Sequence, residues 1–249
     1  MKRKLIFIGF ILLVNLTLNV QKSAAQISLD LESGYVSTGY NNIRIPGDQG
    51  TDFSLSEELK AEGKMFYRLR LNYNINSRNT ISVLYAPLTV NSKGSVPRDI
   101  LFENVLFPAN TDLDATYKFN YYRLTYRYEL VQKPKFNFGI GFTAKIRDAK
   151  IALASGDDES EKVNVGFVPI INFRLSYNPI EKIGILFEGD ALAAPQGRAE
   201  DVLLALTYKA SDRIGIKAGY RILEGGADND EVYTFSLFHY AAAGLFIRF

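Results

Sequence analysis

The chain has 249 residues, with 29 Lys plus Arg against 27 Asp plus Glu, 47% hydrophobic and 22% charged residues, one His, no Cys and no Trp. That apolar share excludes a disordered chain, and the even charge balance excludes nucleic acid as a partner. Without Cys there is no disulfide framework, thiol nucleophile, Cys-ligated metal or lipidated N-terminal Cys, and a single His leaves few catalytic schemes.

Residues 1–25 read as a cleavable export signal: Lys2, Arg3 and Lys4 form a charged start, Leu5 to Val20 is mostly apolar, and Ser23-Ala24-Ala25 offers small residues for cleavage. The chain thus divides into a signal peptide, 1–25, and one domain, 26–249. Asn15, Thr17 and Asn19 interrupt the apolar run, which is short for a spanning helix, and no later stretch approaches the ~20 apolar residues such a helix needs. A mature chain that crosses a membrane must therefore cross it with strands.

Beyond residue 26 the dominant signal is a period of two. Met65, Tyr67, Leu69, Leu71, Tyr73 and Ile75 alternate with Phe66, Arg68, Arg70, Asn72 and Asn74; Tyr122 to Leu130 and Phe136 to Phe142 repeat the pattern. Ten strands follow, near 27–38, 64–76, 79–90, 115–131, 134–147, 163–178, 182–193, 201–210, 212–223 and 232–249. Connections at 76–78, 132–133, 178–181 and 210–212 are tight, whereas 41–63, 91–113, 148–162, 194–200 and 224–231 are mostly longer. Residues 54–63, with Leu55, Leu59 and Ala61 among charges, read as a short helix capping the first long loop. This is the pattern of an all-β fold, a ten-stranded antiparallel transmembrane β-barrel with short periplasmic turns and longer extracellular loops.

The two strand faces differ in kind. One carries Leu, Ile, Val, Phe and Ala between two sets of aromatics: Tyr73, Tyr128, Tyr177, Tyr208 and Phe249 near the short turns, and Tyr67, Tyr85, Tyr220, Tyr233 and Phe235 toward the loops. The other carries Arg68, Arg70, Arg123, Arg127, Glu129, Lys145, Arg147, Arg174, Glu188, Asp190, Lys217 and Arg221, too many charges for the core of a soluble barrel. The apolar face is assigned to outer-membrane lipid and the charged face to a lumen, with glycines such as Gly139 and Gly244 leaving room for long neighbours.

The sequence closes on Gly244-Leu245-Phe246-Ile247-Arg248-Phe249. With the signal, the alternation and the loop asymmetry, it resembles the outer-membrane β-barrel proteins of Gram-negative bacteria. That resemblance implies localisation in the cell outer membrane and recognition of Phe249 by the barrel-assembly machinery. Residues 189–195 and 223–230 also look like parts of members of this class and bring no activity with them. In strand count the chain is loosely omptin-like, but omptins carry an Asp two residues before their His, where this chain has Leu237. Outer-membrane lipid A deacylases carry a Ser two residues after theirs, where it has Ala241.

The candidate site lies in the lumen. Registering the hairpins on their turns places Asn172 near Glu188 and Asp201 near Arg221, so Glu188, Asp190, Asp201 and Arg221 form one cluster, with Arg174, Lys217 and Glu224 as neighbours. This reads as a network that fills and stiffens the lumen, or as a ligand site. Glu188 and Asp190 with His239 are the only catalytic candidates, and parity turns His239 outward with Ala243, Leu245 and Ile247. Asp228-Asn229-Asp230-Glu231 matches only the start of a calcium loop, so neither metal nor cofactor is assigned. The leading expectation is a non-enzymatic barrel that is structural or passes or binds a small or apolar ligand. A surface hydrolase with an acidic site at the outer mouth and a secreted soluble ligand-binding barrel stay open beside it.

Overall fold

The computed structural model describes residues 26–195 and 197–249, so the export signal read over 1–25 lies outside the described residues. Ten strands carry the fold: β1 (Ile27–Arg44), β2 (Lys64–Asn74), β3 (Asn79–Ala86), β4 (Leu113–Gln132), β5 (Phe136–Ser155), β6 (Asp158–Tyr177), β7 (Ile183–Ala194), β8 (Gly197–Lys209), β9 (Ile214–Asp228) and β10 (Tyr233–Arg248). Each pairs antiparallel with the next, and β10 pairs with β1 from Ser28↔Arg248 to Arg44↔Tyr233. The sheet is a closed ten-stranded barrel. Closure removes the free edges that an open sheet of this length would present to other chains.

Side-chain hydrogen bonds set the tight turns at one end. The Asn76 side-chain oxygen accepts from the backbone N–H groups of Arg78 at 2.9 Å and Asn79 at 3.0 Å, and the Ser211 hydroxyl accepts from Ile214 at 3.0 Å. Two of these turns hold more residues than the expected register allows: Tyr177 pairs with Ile185 and Tyr208 with Ile216. Both slips are of two residues, so every side chain keeps its face.

The opposite end departs further from expectation. Only Gly156 and Asp157 separate Ser155 from its partner Asp158, and Gly156 holds a φ of 59°, which suits glycine in a two-residue hairpin turn. Ala194 likewise pairs with Gly197, and β9 runs on to Asp228. The expected loops 148–162, 194–200 and 224–231 are thus the tips of long hairpins. Their outward residues Asp148 and Lys150 suggest a loop in sequence but stand on strands that have risen above the apolar surface.

The two long connections, 45–63 and 87–112, fold inward. Pro87 lacks an N–H and interrupts β3, and the Asn120 side chain accepts instead from the backbone N–H of Leu88 at 3.0 Å. Pairing on β4 then resumes over Thr89–Gly94. The expected helix over 54–63 is a turn between Phe53–Ser54 and Lys60–Ala61, in which the Ser54 hydroxyl accepts from the Glu57 N–H at 3.1 Å. Its four-residue spacing serves one purpose: Leu55 and Leu59 are both buried. With Phe53, Ile100, Phe102 and Phe107 they pack on Ile43, Leu113, Tyr117 and Leu153 of the barrel wall. An apolar cap therefore fills the barrel at this end, above the charged lumen.

The outer surface is inverted relative to a soluble protein. On β4, Tyr122, Leu124, Tyr126, Tyr128 and Leu130 are all exposed, a run of nine residues, which matches the ~9–11 that a tilted strand needs to cross the hydrocarbon layer. Above it the same face carries Asn120 and Lys118, and ion pairs Lys118–Asp148 at 2.7 Å and Lys150–Glu161 at 3.0 Å mark the change. Tyr73, Tyr128, Tyr177, Tyr208 and Phe249 ring the short-turn end on the outside. A continuous exposed apolar belt of this size fits lipid, not water.

Candidate functional site

Inside the belt the lumen is crossed by paired charges drawn from seven of the ten strands. Asp201 on β8, 1% exposed, accepts from Arg68 of β2 at 3.0 Å, Arg123 of β4 at 2.6 Å, the Tyr121 hydroxyl at 3.1 Å, and Arg221 of β9. Glu32 of β1 takes a two-pronged contact from Arg221 at 2.7 and 2.9 Å and lies 3.0 Å from Lys217. Asp190 holds Arg123 at 2.5 Å, the Thr143 hydroxyl at 2.5 Å and the Asn172 amide at 3.1 Å. Glu188 meets Arg70 at 3.1 Å, Arg174 at 3.7 Å and Lys217 at 3.9 Å, and Lys217 also reaches Asp30 at 2.9 Å.

The physical logic is desolvation. A carboxylate removed from water costs several kcal/mol unless matched charges and hydrogen bonds replace its hydration. Here Asp30, Glu32, Glu188, Asp190 and Asp201 are each ion-paired, and the pairs join walls that are far apart in the sheet order. Glycine supplies room: a side chain at Gly244 would lie 2.6 Å from the Lys217 stem, and one at Gly139 would lie 2.9 Å from the Glu129 carboxylate.

Of the residues singled out in sequence, Glu188, Asp190, Asp201, Lys217 and Arg221 come together, with Arg174 at the edge. Asn172 contacts Asp190 instead of Glu188, the consequence of the two-residue slip, while the Asp201–Arg221 pair forms across a diagonal. Glu224 stands apart at the rim, where it binds Arg198 at 2.7 Å and the Tyr40 hydroxyl. His239 lies on the outer face between the inward Phe238 and Tyr240, stacked on Tyr220 at 5.9 Å and hydrogen-bonded through Nδ1 to its hydroxyl. It is separated by the barrel wall from Glu188 and Asp190. In the 228–231 turn the Asn229 side chain accepts from the N–H groups of Glu231 and Val232, both at 3.0 Å.

Asp30, Glu32, Tyr121 and Thr143 were not anticipated. Asp30 and Glu32 alternate with Leu29 and Leu31, which gave their face, but contacts across a lumen leave no trace in adjacent-strand register. Below the network an open vestibule of about 810 Å³ is lined by Asp30, Arg174, Ser176, Thr207, Lys217 and Arg248. Above it a separate chamber of about 330 Å³ lies between the tall β5–β6 hairpin and the ends of β7 to β10.

No protein-family model matches the chain, and no curated protein matches it in sequence. Among solved structures it is similar to the outer membrane protease OmpT from Escherichia coli, at 12% identity and a TM-score of 0.55, covering 94% of this chain and 100% of that one. Neisserial surface protein A gives 12% identity and a TM-score of 0.35 over 92% and 100% of the two chains. The translocator domain of the autotransporter NalP from Neisseria meningitidis gives 10% and 0.44 over 95% and 92%. The likeness to the protease is one of fold: a closed antiparallel barrel of the outer-membrane kind.

Proposed function

We propose that the protein is an integral outer-membrane barrel with a closed axis, which stiffens the envelope or holds a small apolar or amphipathic ligand and does not conduct solutes along its length. In this reading the tight turns face the periplasm, the apolar cap faces the cell exterior, and Phe249 is the residue read by the assembly machinery. The observation that carries it is the pairing of Arg68 and Arg123 with Asp201 across the lumen, beneath a cap whose Phe102 and Phe107 are fully buried. Water and ions following the axis would have to break buried ion pairs and then part an apolar core.

A hydrolase reading has less support. Each candidate carboxylate is engaged by arginine or lysine, and the imidazole is on the other side of the wall. General acid-base work needs a group free to accept or give a proton within reach of substrate. The test is current through purified, folded protein in planar bilayers. The expected record is a flat baseline across applied voltages, and sustained ohmic steps would overturn the closed-axis reading.

A further inference from the structure

Above Ile171 the wall between β6 and β7 parts. Their ladder runs from Tyr177↔Ile185 to Ile171↔Ala191 and ends, although β6 continues up to Asp158 and β7 to Ala194. Pro169 stands just beyond the last pair, and a residue without an N–H belongs on an unpaired edge. Each side stays anchored, β6 to β5 as far as Ser155↔Asp158 and β7 to β8 as far as Ala194↔Gly197, so the gap is a built notch. Its outer lip is apolar: Val165 is 68% and Phe167 65% exposed, while the β5 partner of Val165 is already Asp148. The lipid-facing surface therefore climbs higher on β6 than on β5 and reaches the notch.

Behind it lies the 330 Å³ chamber, at the lower end of the ~300–1,000 Å³ range of ligand pockets and lined by Val168, Leu192 and Phe119, with the Glu224 carboxylate in its lining held by Arg198 at 2.7 Å. Two cations face it without a counter-ion. Lys145 is 2% exposed, its ammonium 4.8 and 5.0 Å from the ring centroids of Phe119 and Tyr121, with no carboxylate within 4.0 Å among the described residues. Arg147 gives one nitrogen to the Asn164 side chain at 2.5 Å, and its buried Nε has no hydrogen-bond partner. In a lumen where Asp190 and Asp201 are already taken by arginines, this pair lacks an anion.

We propose that the chamber takes a single-chain amphiphile with a carboxylate head, a fatty acid, that enters sideways from the outer leaflet through the β6–β7 notch. The planar Arg147 fork and the Lys145 charge receive the carboxylate, and the chain runs past Phe119, Val168 and Leu192 to the lip. The volume suits one chain and not the two of a phospholipid. This rests on the outer-membrane reading above and adds the ligand class and its route.

Because the chain has no Trp, Phe119→Trp places a sole indole in the chamber. Folded protein in phospholipid vesicles is titrated with brominated laurate, brominated dodecanol and brominated dodecyl phosphate. Saturable quenching by laurate is expected, with affinity reduced at least about tenfold by Lys145→Gln with Arg147→Gln, or by Arg147→Gln alone if the double variant misfolds. Equal quenching by the alcohol, tighter binding of the phosphate, or unchanged affinity in the variants overturns the assignment. Ala193→Cys, labelled with a bulky maleimide, is expected to slow the onset of quenching, and an unaltered onset overturns the lateral route. A folded, non-conducting barrel that ignores laurate refutes this inference alone; a protein that is soluble without detergent refutes the function on which it rests.

Discussion

Replacing Asp201 by Ala probes the plug at its most connected point. The carboxylate is 1% exposed and bound by three guanidinium groups and a phenol. Removing one partner of a buried pair costs about 3–5 kcal/mol because a charge is left unmatched. The cost does not triple, since Arg123 keeps Asp190 at 2.5 Å, Arg221 keeps Glu32 at 2.7 Å, and Arg68 keeps Glu32 at 3.7 Å. With an m-value of about 2–3 kcal/mol/M, the urea midpoint falls by roughly 1–2.5 M. Unfolding from lipid vesicles, followed by loss of the folded band on unheated gels, measures it. Asp212, exposed and paired only to Lys209 at 2.7 Å, is the control, and Asp212→Ala leaves the midpoint unchanged. A midpoint for Asp201→Ala equal to that of the control would refute the view that the lumen charges are desolvated and mutually dependent.

Three further outcomes follow from the same architecture. Leu204→Lys, 55% exposed midway along the β8 belt between Tyr208 and Glu200, destabilises the vesicle-embedded barrel by about 2–4 kcal/mol in urea titration, whereas Glu200→Lys, above the belt on the same strand, is near neutral. Phe102→Ala, fully buried in the cap, costs about 3–5 kcal/mol by the same assay. On the same hairpin Leu106→Ala, 57% exposed, changes little. Gly34→Val raises the unfolding rate or blocks folding, because its Cβ would lie 2.0 Å from the Ala241 carbonyl oxygen at a φ of +148°; wild-type folding yield would contradict this.

How far the sequence could be read depended on the range of the interaction. Alternation is local, so strand number, order and the face of each residue were legible, including the outward turn of His239 and the inward turn of Arg123. Turn length shifts register by whole pairs, and the slips at Tyr177 and Tyr208 kept faces while changing neighbours. The ends of β5, β6 and β9 were hidden because a strand above the lipid belt has polar residues on its outer side, and Asp148 and Lys150 then read as loop. The cap was illegible for a different reason: Leu55, Leu59, Phe102 and Phe107 come from connections without a period, and only the enclosing wall makes them a core. The Asp201 cluster was half visible, since register supplied Arg221 but nothing local pointed across the lumen to Arg68.

The central claim is that the apolar belt meets lipid while the charges face inward. Membrane fractionation of the expressed chain, followed by comparison of unheated and boiled samples on gels in detergent, tests it most directly. Recovery in the outer-membrane fraction, resistant to alkaline extraction, with a band whose mobility changes on boiling, is the expected result. A protein recovered in soluble form without detergent, with one mobility before and after boiling, would contradict the claim and turn the two faces of the wall around.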